Sequence, residues 1–405
     1  MRIAVVGGGA SGIMAAYSAA ENGAEVTLFE RNEKLGKKVY ISGKGRCNVT
    51  NDSDPAVHMS NVVRNGRFLF SAYKALSPKE LIACIESAGT PLKTERGDRV
   101  FPVSDKSSDI LSALRRLLSY YPLEIKLNER VLSLEKKGDV FFLRTEKEGY
   151  TFDKVILCTG GFTYQATGST GDGYSFARAF GHSVTELCPA LVGLRGDIPV
   201  ELAGLTLKNV TLSARKGENV IAEEFGEMLF THSGISGPIV LTMSSKVNRI
   251  PLSELSFAID LKPAITKETL NDRLLREFQA APNKALKNIL PELMPRSLIS
   301  FYLEKAKVAA DIPAHSVTKE DRLRLVSVMK ALPVSVLGFE AFNGAIVTSG
   351  GVSVTEIDPK DMQSKLVPGL YFAGELLDVD ALTGGFNLQI AFSTGYLAGM
   401  RAAKS

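Results

Sequence analysis

The residues best able to do chemistry lie in glycine-rich clusters far apart in the chain. In RIAVVGGGASG, Gly7, Gly9 and Gly12 have the G-x-G-x-x-G spacing, and Glu30 follows eighteen residues after Gly12. The first glycine permits a tight turn, the second lets a pyrophosphate approach the backbone, and the third lets a helix pack on the preceding strand. Ala10 and Ser11 open that helix, so its free N–H groups and positive dipole end face the phosphates. A carboxylate at Glu30 would accept from a ribose hydroxyl and repel a 2′-phosphate, which selects FAD or NAD over NADP.

A second cluster, SGKGRCNVTN at 42–51, is too polar and glycine-rich for a core helix or strand. Ser42, Gly43, Gly45 and Arg46 can offer N–H groups, a hydroxyl and a guanidinium to anionic oxygens. Asn48, Thr50 and Asn51 suit side-chain-to-backbone bonds that fix the loop. Cys47 has no partner cysteine and no adjacent histidine, so it reads as a small packed residue at the loop's turn toward the cofactor rather than a nucleophile.

Two more segments separate FAD from NAD. KVILCTGG ends a strand at Thr159, Gly160 and Gly161, and GLYFAGELLDVDALTGGFNLQIAFSTGYLAG spans 369–399. Its strand ends in Gly374-Glu375, placing Glu375 for ribityl hydroxyls. A helix opening near Asn387, Leu388 and Gln389 would set its dipole against the N1–C2=O edge of a flavin. A simple nicotinamide dehydrogenase needs no such return to the first domain, whereas FAD does. Arg31, Lys37 and Val131 complete the cofactor-binding candidates. NADH remains an electron-donor candidate, although a second G-x-G-x-x-G is absent. For catalysis the candidates are Arg46, Asn48 and His232.

The elements that must position these groups follow from the pattern. Residues 2–7 form a β-branched run that stops at glycine, as a buried parallel strand does; Ala10–Glu21 reads as a helix stopped by Asn22-Gly23, and AEVTLFE as a second strand. GSTGDGYSFARAFGH at 168–182 is a turn entering a helix near Asp172. Between Cys188 and Asn343 the pattern changes. LVGLRGD, LTLKNVTLSARKG, NVIAEEFGEMLFTHSG, PIVLTMSS and LSFAIDLKP read as strands of a small barrel or meander. TKETLNDRLLREFQ and SVTKEDRLRLVSVMKAL read as helices. The expected domains are a discontinuous FAD-binding domain at 1–188 and 344–405, a β-barrel-like insert at 189–264 and 333–343, and a helical subdomain at 265–332.

Composition narrows the classes. The 405 residues are 45% hydrophobic and 23% charged, with a net charge of +4, as in ordinary soluble multidomain proteins. No run is long enough to span a bilayer, and no secretory leader is evident, so a cytoplasmic enzyme is expected. The four cysteines form no C-x-x-C pair, the four histidines form no H-E-x-x-H, and no metal is expected. No concentrated Lys/Arg run marks a nucleic-acid groove, so the expected partner is a small molecule.

The GDG segment resembles that of flavoproteins related to fumarate reductases and ketosteroid dehydrogenases. Together S-G-x-G-R-C-N-x-T-N, G-E-x-x-D-V-D, T-G-G-F-N-L-Q-I-A-F-S-T-G, F-T-H-S-G-I-S-G-P at 230–238 and V-T-S-G-G-V at 347–352 resemble a bacterial family of NAD(FAD)-utilising dehydrogenases that includes aminoacetone-oxidase-like enzymes. Lys44 departs from it where glycine is expected. The resemblance implies an α/β fold: a Rossmann-type FAD-binding domain of the glutathione-reductase and fumarate-reductase kind, with an inserted β-barrel and helical subdomain over the flavin. It implies hydride transfer through flavin N5, as amine oxidation or enone reduction. A flavin-dependent RNA-modifying protein and a non-catalytic redox sensor are the alternatives.

Overall fold

The computed structural model describes residues 1–405, which divide into two compact units: residues 1–189 with 345–405, and residues 190–344.

The first unit is built on a five-stranded parallel sheet. Its elements in chain order are β1 (Arg2–Val6), α1 (Ala10–Glu21), β2 (Glu25–Phe29), β3 (Glu124–Lys126), β4 (Lys154–Leu157), α2 (Asp172–Ala179), β5 (Leu370–Phe372) and α3 (Phe386–Lys404). The strand order is β5–β4–β1–β2–β3, with every neighbouring pair parallel. From β1 the chain winds first to β2 on one side and later to β4 on the other. The carboxyl end of β1 is therefore a topological switch point, where open α/β sheets place their ligands. Residues 3–6, 26–29, 155–157 and 370–372 are all buried, which is why these strands are runs of Val, Ile, Leu and Phe without alternation.

Helix α3 crosses α1 at very close range. A Cβ on Gly395 would lie 2.1 Å from the Ser11 carbonyl oxygen, and one on Gly399 would lie 2.1 Å from that of Ala15. The Ser18 hydroxyl donates to the Tyr396 carbonyl at 2.8 Å within that contact. Small residues at this crossing let the two backbones touch and fix both helix N-termini relative to the sheet. A three-stranded antiparallel sheet (Val131–Lys137, Val140–Thr145, Gly149–Phe152) and a smaller one (Thr50–Asn51, Leu92–Glu95, Arg99–Pro102) complete the unit.

The second unit contains a seven-stranded antiparallel sheet whose two edge strands are Leu332–Val334 and Val336–Phe339. Ser335 alone joins these edges, so the sheet has to curl on itself. Helices Lys267–Ala280, Ile299–Ala306 and Lys319–Lys330 contribute Leu274, Tyr302 and Leu325 to the cluster that also holds Leu212, Ile259 and Leu332. The helices expected as a subdomain of their own thus share the sheet's core. PIVLTMSS, expected as a strand, is instead part of a helix, Pro238–Val247. Periodicity cannot separate a short buried strand from a buried helix. Pro238 at the first helical position, after Gly237 at φ 99°, decides it.

Candidate cofactor site

The turn after β1 has the features a phosphate cradle requires. Gly7 sits at φ 107°, and a Cβ there would meet the Cys158 carbonyl oxygen at 2.4 Å. A Cβ on Gly12 would lie 1.8 Å from the Gly7 carbonyl oxygen, so α1 touches the turn it follows. Around Gly9 there is nothing within 4 Å of a built Cβ, and no side chain caps α1. The N–H groups of the first turn, at Ala10 and Ser11, therefore have no side-chain cap, with the helix dipole behind them. Thr159, across the switch point, has a buried hydroxyl with no hydrogen-bond partner.

Glu30, just past β2, is buried and held by three donors. Its Oε2 accepts from the Gly8 N–H at 2.8 Å, and its Oε1 accepts from the Asn32 N–H at 2.8 Å and the Asn32 amide at 2.6 Å. A carboxylate has about four acceptor sites, so one remains for a ribose hydroxyl. Arg31 points to Thr170 at 2.6 Å and Asp172 at 3.4 Å. Lys37 bridges Asn32 and Glu33, each at 3.3 Å, and Val131 is buried at the start of its strand.

The 42–51 loop differs from its expected role in its side chains. Arg46 reaches Asp105 through Nε at 2.9 Å and Glu95 through both terminal nitrogens, and lies 4.1 Å over the Phe101 ring. Those two carboxylates push its pKa still higher and hold the guanidinium to the protein rather than to an anionic ligand. With its amide oriented to suit its neighbours, Asn48 donates to the Thr50 and Val100 carbonyls at 3.0 and 3.2 Å and accepts from the Gly385 N–H at 3.0 Å. Thr50 bonds Gln389 at 2.5 Å, and both are fully buried. Ser42 caps back onto the Val39 carbonyl at 2.7 Å. Cys47 is fully buried, and burial pushes its thiol up to about 12, which keeps it protonated and inert. Gly43 is left-handed at φ 57°, while Gly45 opens onto free space.

Beyond β5, Gly374 lies against the Ser11 side chain, and Glu375 is held much as Glu30 is. Its Oε2 meets Lys38 Nζ at 2.6 Å; its Oε1 accepts from the Thr348 N–H at 2.9 Å and the Thr163 hydroxyl at 3.2 Å. Gly160 is left-handed, and a Cβ on Gly161 would strike Thr348 and Glu375. Asn387 clasps both backbone groups of Ala381, at 2.9 and 2.7 Å, which closes the turn before α3. Leu388 is partly buried against the core. No side chain caps the N-terminus of α3. Since Gly395 contacts Ser11, that terminus at Phe386 lies about 13 Å further along α3.

The structure thus gathers Gly7, Gly9, Glu30, Thr159, Gly374 and Glu375 at the carboxyl end of the parallel sheet and ties the 42–51 loop to α3. Thr50 and Gln389 join this region as a buried, mutually bonded pair. His232 sits exposed in the turn between strands Asn219–Thr231 and Gly234–Ser236 of the other unit. Sequence reading missed Asn32, Lys38, Thr163 and Thr348. Lys37 and Lys38 are adjacent on one helical turn, and only packing decides that Lys38 faces Glu375.

Residues 1–401 match the family described as HI0933-like protein Rossmann domain. The chain belongs to that family. It is 32% identical over 408 residues to a 3-dehydro-bile acid delta(4,6)-reductase of Clostridium scindens, covering 100% of this chain and 99% of that protein. It is 31% identical to a ribosomal RNA dihydrouridine synthase of Escherichia coli, covering 99% of this chain and 98% of that one. Among solved structures, the 3-ketosteroid-delta4-(5alpha)-dehydrogenase of Rhodococcus jostii shares the fold, with a TM-score of 0.54 at 15% identity over 100% of this chain and 96% of that one.

Proposed function

We propose that this HI0933-like protein is an FAD-dependent reductase that adds two hydrogens to an activated carbon–carbon double bond. The observation that carries the reading is the pair of uncapped helix N-termini, one at the open Gly9 turn and one about 13 Å along α3, at the carboxyl end of the sheet beside Glu30 and Glu375. That spacing suits a cofactor longer than one nucleotide. A bound flavin would supply hydride exchange at N5. The α1 terminus would hold the pyrophosphate, and Glu30 and Glu375 would each offer a remaining acceptor position to ribose and ribityl hydroxyls. The α3 terminus would stabilise negative charge at the far end.

Both kinds of relative support a reductive direction, because a delta(4,6)-reductase and a dihydrouridine synthase each saturate a carbon–carbon bond. Amine oxidation is correspondingly disfavoured. The preferred substrate is a small conjugated enone; the second reading, uracil in ribosomal RNA, is favoured by the dihydrouridine synthases alone. Anaerobic protein reduced with NADH and mixed with a steroid enone should reoxidise its flavin, while unmodified ribosomal RNA should not. Reoxidation by RNA alone would transfer the assignment to the second reading. A protein purified without flavin and unable to take it up would end both.

A further inference from the structure

The segment of residues 163–172, leading from the end of β4 into α2, runs past both carboxylates of the site described so far. It begins at the Glu375 end of the crevice, where the Thr163 hydroxyl meets Lys38 Nζ at 2.7 Å and Glu375 at 3.2 Å. Tyr164 follows, with Lys38 Nζ 5.6 Å from its ring centroid. It ends at Glu30, where the Thr167 carbonyl accepts from Asn32 at 2.9 Å. The same few residues therefore touch the group beside each carboxylate that would hold the two sugar-like parts of the cofactor.

The second end is secured by charge. Arg130 grips Asp172 with two bonds, Nε to Oδ2 at 2.9 Å and a terminal nitrogen to Oδ1 at 3.0 Å. Arg31 bonds Thr170 at 2.6 Å and Asp172 at 3.4 Å, and Thr170 in turn donates to Asp172 at 3.0 Å. Paired, charge-assisted bonds of this geometry fix orientation as well as adding energy. Gly168 sits against the Asn32 and Arg31 side chains, so the chain lies directly on the residues that orient Glu30.

We propose that residues 163–172 form a strap along the cofactor crevice and that Asp172 is the positioning residue holding its adenosine end in place. This rests on the FAD reading above. Asp172 touches no reacting atom. It acts through Arg31 and Arg130, and its loss frees the strap at one end while the Thr163 end stays pinned.

The test uses FAD-loaded protein carrying Asp172→Asn, Arg130→Met or both, with flavin release followed by the recovery of free-flavin fluorescence on dilution. Each single variant should release FAD about tenfold faster than wild type, and the double variant no faster than either, because the pair acts as one unit. The visible flavin spectrum should not change, and stability to urea in saturating FAD should fall by no more than the ~1.4 kcal/mol that tenfold weaker binding itself removes. Release within twofold of wild type in both single variants overturns the strap while leaving the cofactor assignment intact. Faster release with a loss of stability in saturating FAD well beyond that linked amount also overturns it, since the pair would then serve the fold. A wild-type chain that takes up no FAD overturns the cofactor reading and the strap with it.

Discussion

The glycine turn after β1 and the 42–51 loop look alike in sequence, both short, glycine-rich and polar, yet they spend their polar groups in opposite ways. In the turn, no side chain caps the backbone donors at the start of α1, and a Cβ on Gly9 would meet nothing within 4 Å. In the loop, Ser42, Arg46, Asn48 and Thr50 all turn inward, to Val39, to Glu95 and Asp105, to Val100 and Gly385, and to Gln389. One leaves the start of its helix without a side-chain cap. The other satisfies itself and so holds the turn before α3 in place. A polar loop is thus recognised as a binding element by which donors remain free, not by how many it contains.

The largest effects should separate the two glycines that make the turn. Gly12→Val forces a Cβ to within 1.8 Å of a backbone oxygen and should cost about 3 kcal/mol or more of stability, read as poor soluble yield and a lowered melting temperature. Gly9→Val meets no atom within 4 Å, so it should fold normally and weaken FAD binding about a hundredfold or more. A folded Gly9→Val protein with full flavin would remove the basis for calling the turn a cradle.

Glu30→Ala comes next. It deprives the Gly8 and Asn32 donors of their acceptor, and it should both lower stability by about 2 kcal/mol and yield colourless protein. Restored colour at high added FAD would show that Glu30 orients the site without being indispensable to it.

Acid sensitivity should be intermediate. His58 donates from Nε2 to the Asn51 carbonyl, bonds the Tyr73 hydroxyl through Nδ1 and packs on Phe386 at the start of α3, while His182 lies between Glu356 and Ser364. Burial lowers both pKa values below the usual 6.5, so the unfolded chain binds more protons than the folded one as pH falls. Their contribution is therefore complete above about pH 6.5 and is lost as pH drops below it toward the folded values. Urea midpoints that fall between pH 7 and pH 5 would agree; His182→Gln should flatten part of that slope.

The smallest effects belong to the loop's side chains. Cys47→Ser and Arg46→Met should each keep FAD affinity and turnover within about threefold of wild type, because neither group is directed at a ligand. Total loss of turnover in Cys47→Ser with FAD still bound would make the thiol part of the chemistry and erase the contrast between the two regions.

Much of this arrangement was readable from the chain. Residues 2–30 announce strand, glycine turn, helix and terminal acid, because local rules decide each of them: β-branching, backbone freedom, helix propensity and the length of one βαβ half. The start of α3 and the placement of Glu375 just past β5 were legible for the same reason. The tertiary structure alone decided which charged side chains are free. Arg46 is paired because Glu95 and Asp105, distant in sequence, arrive beside it, and Lys38 is paired because its helical turn faces Glu375. It also turned PIVLTMSS from a strand into a helix. Periodicity and spacing record which backbone a residue belongs to, whereas the partner that neutralises its charge comes from elsewhere in the chain and is set only when the sheet closes.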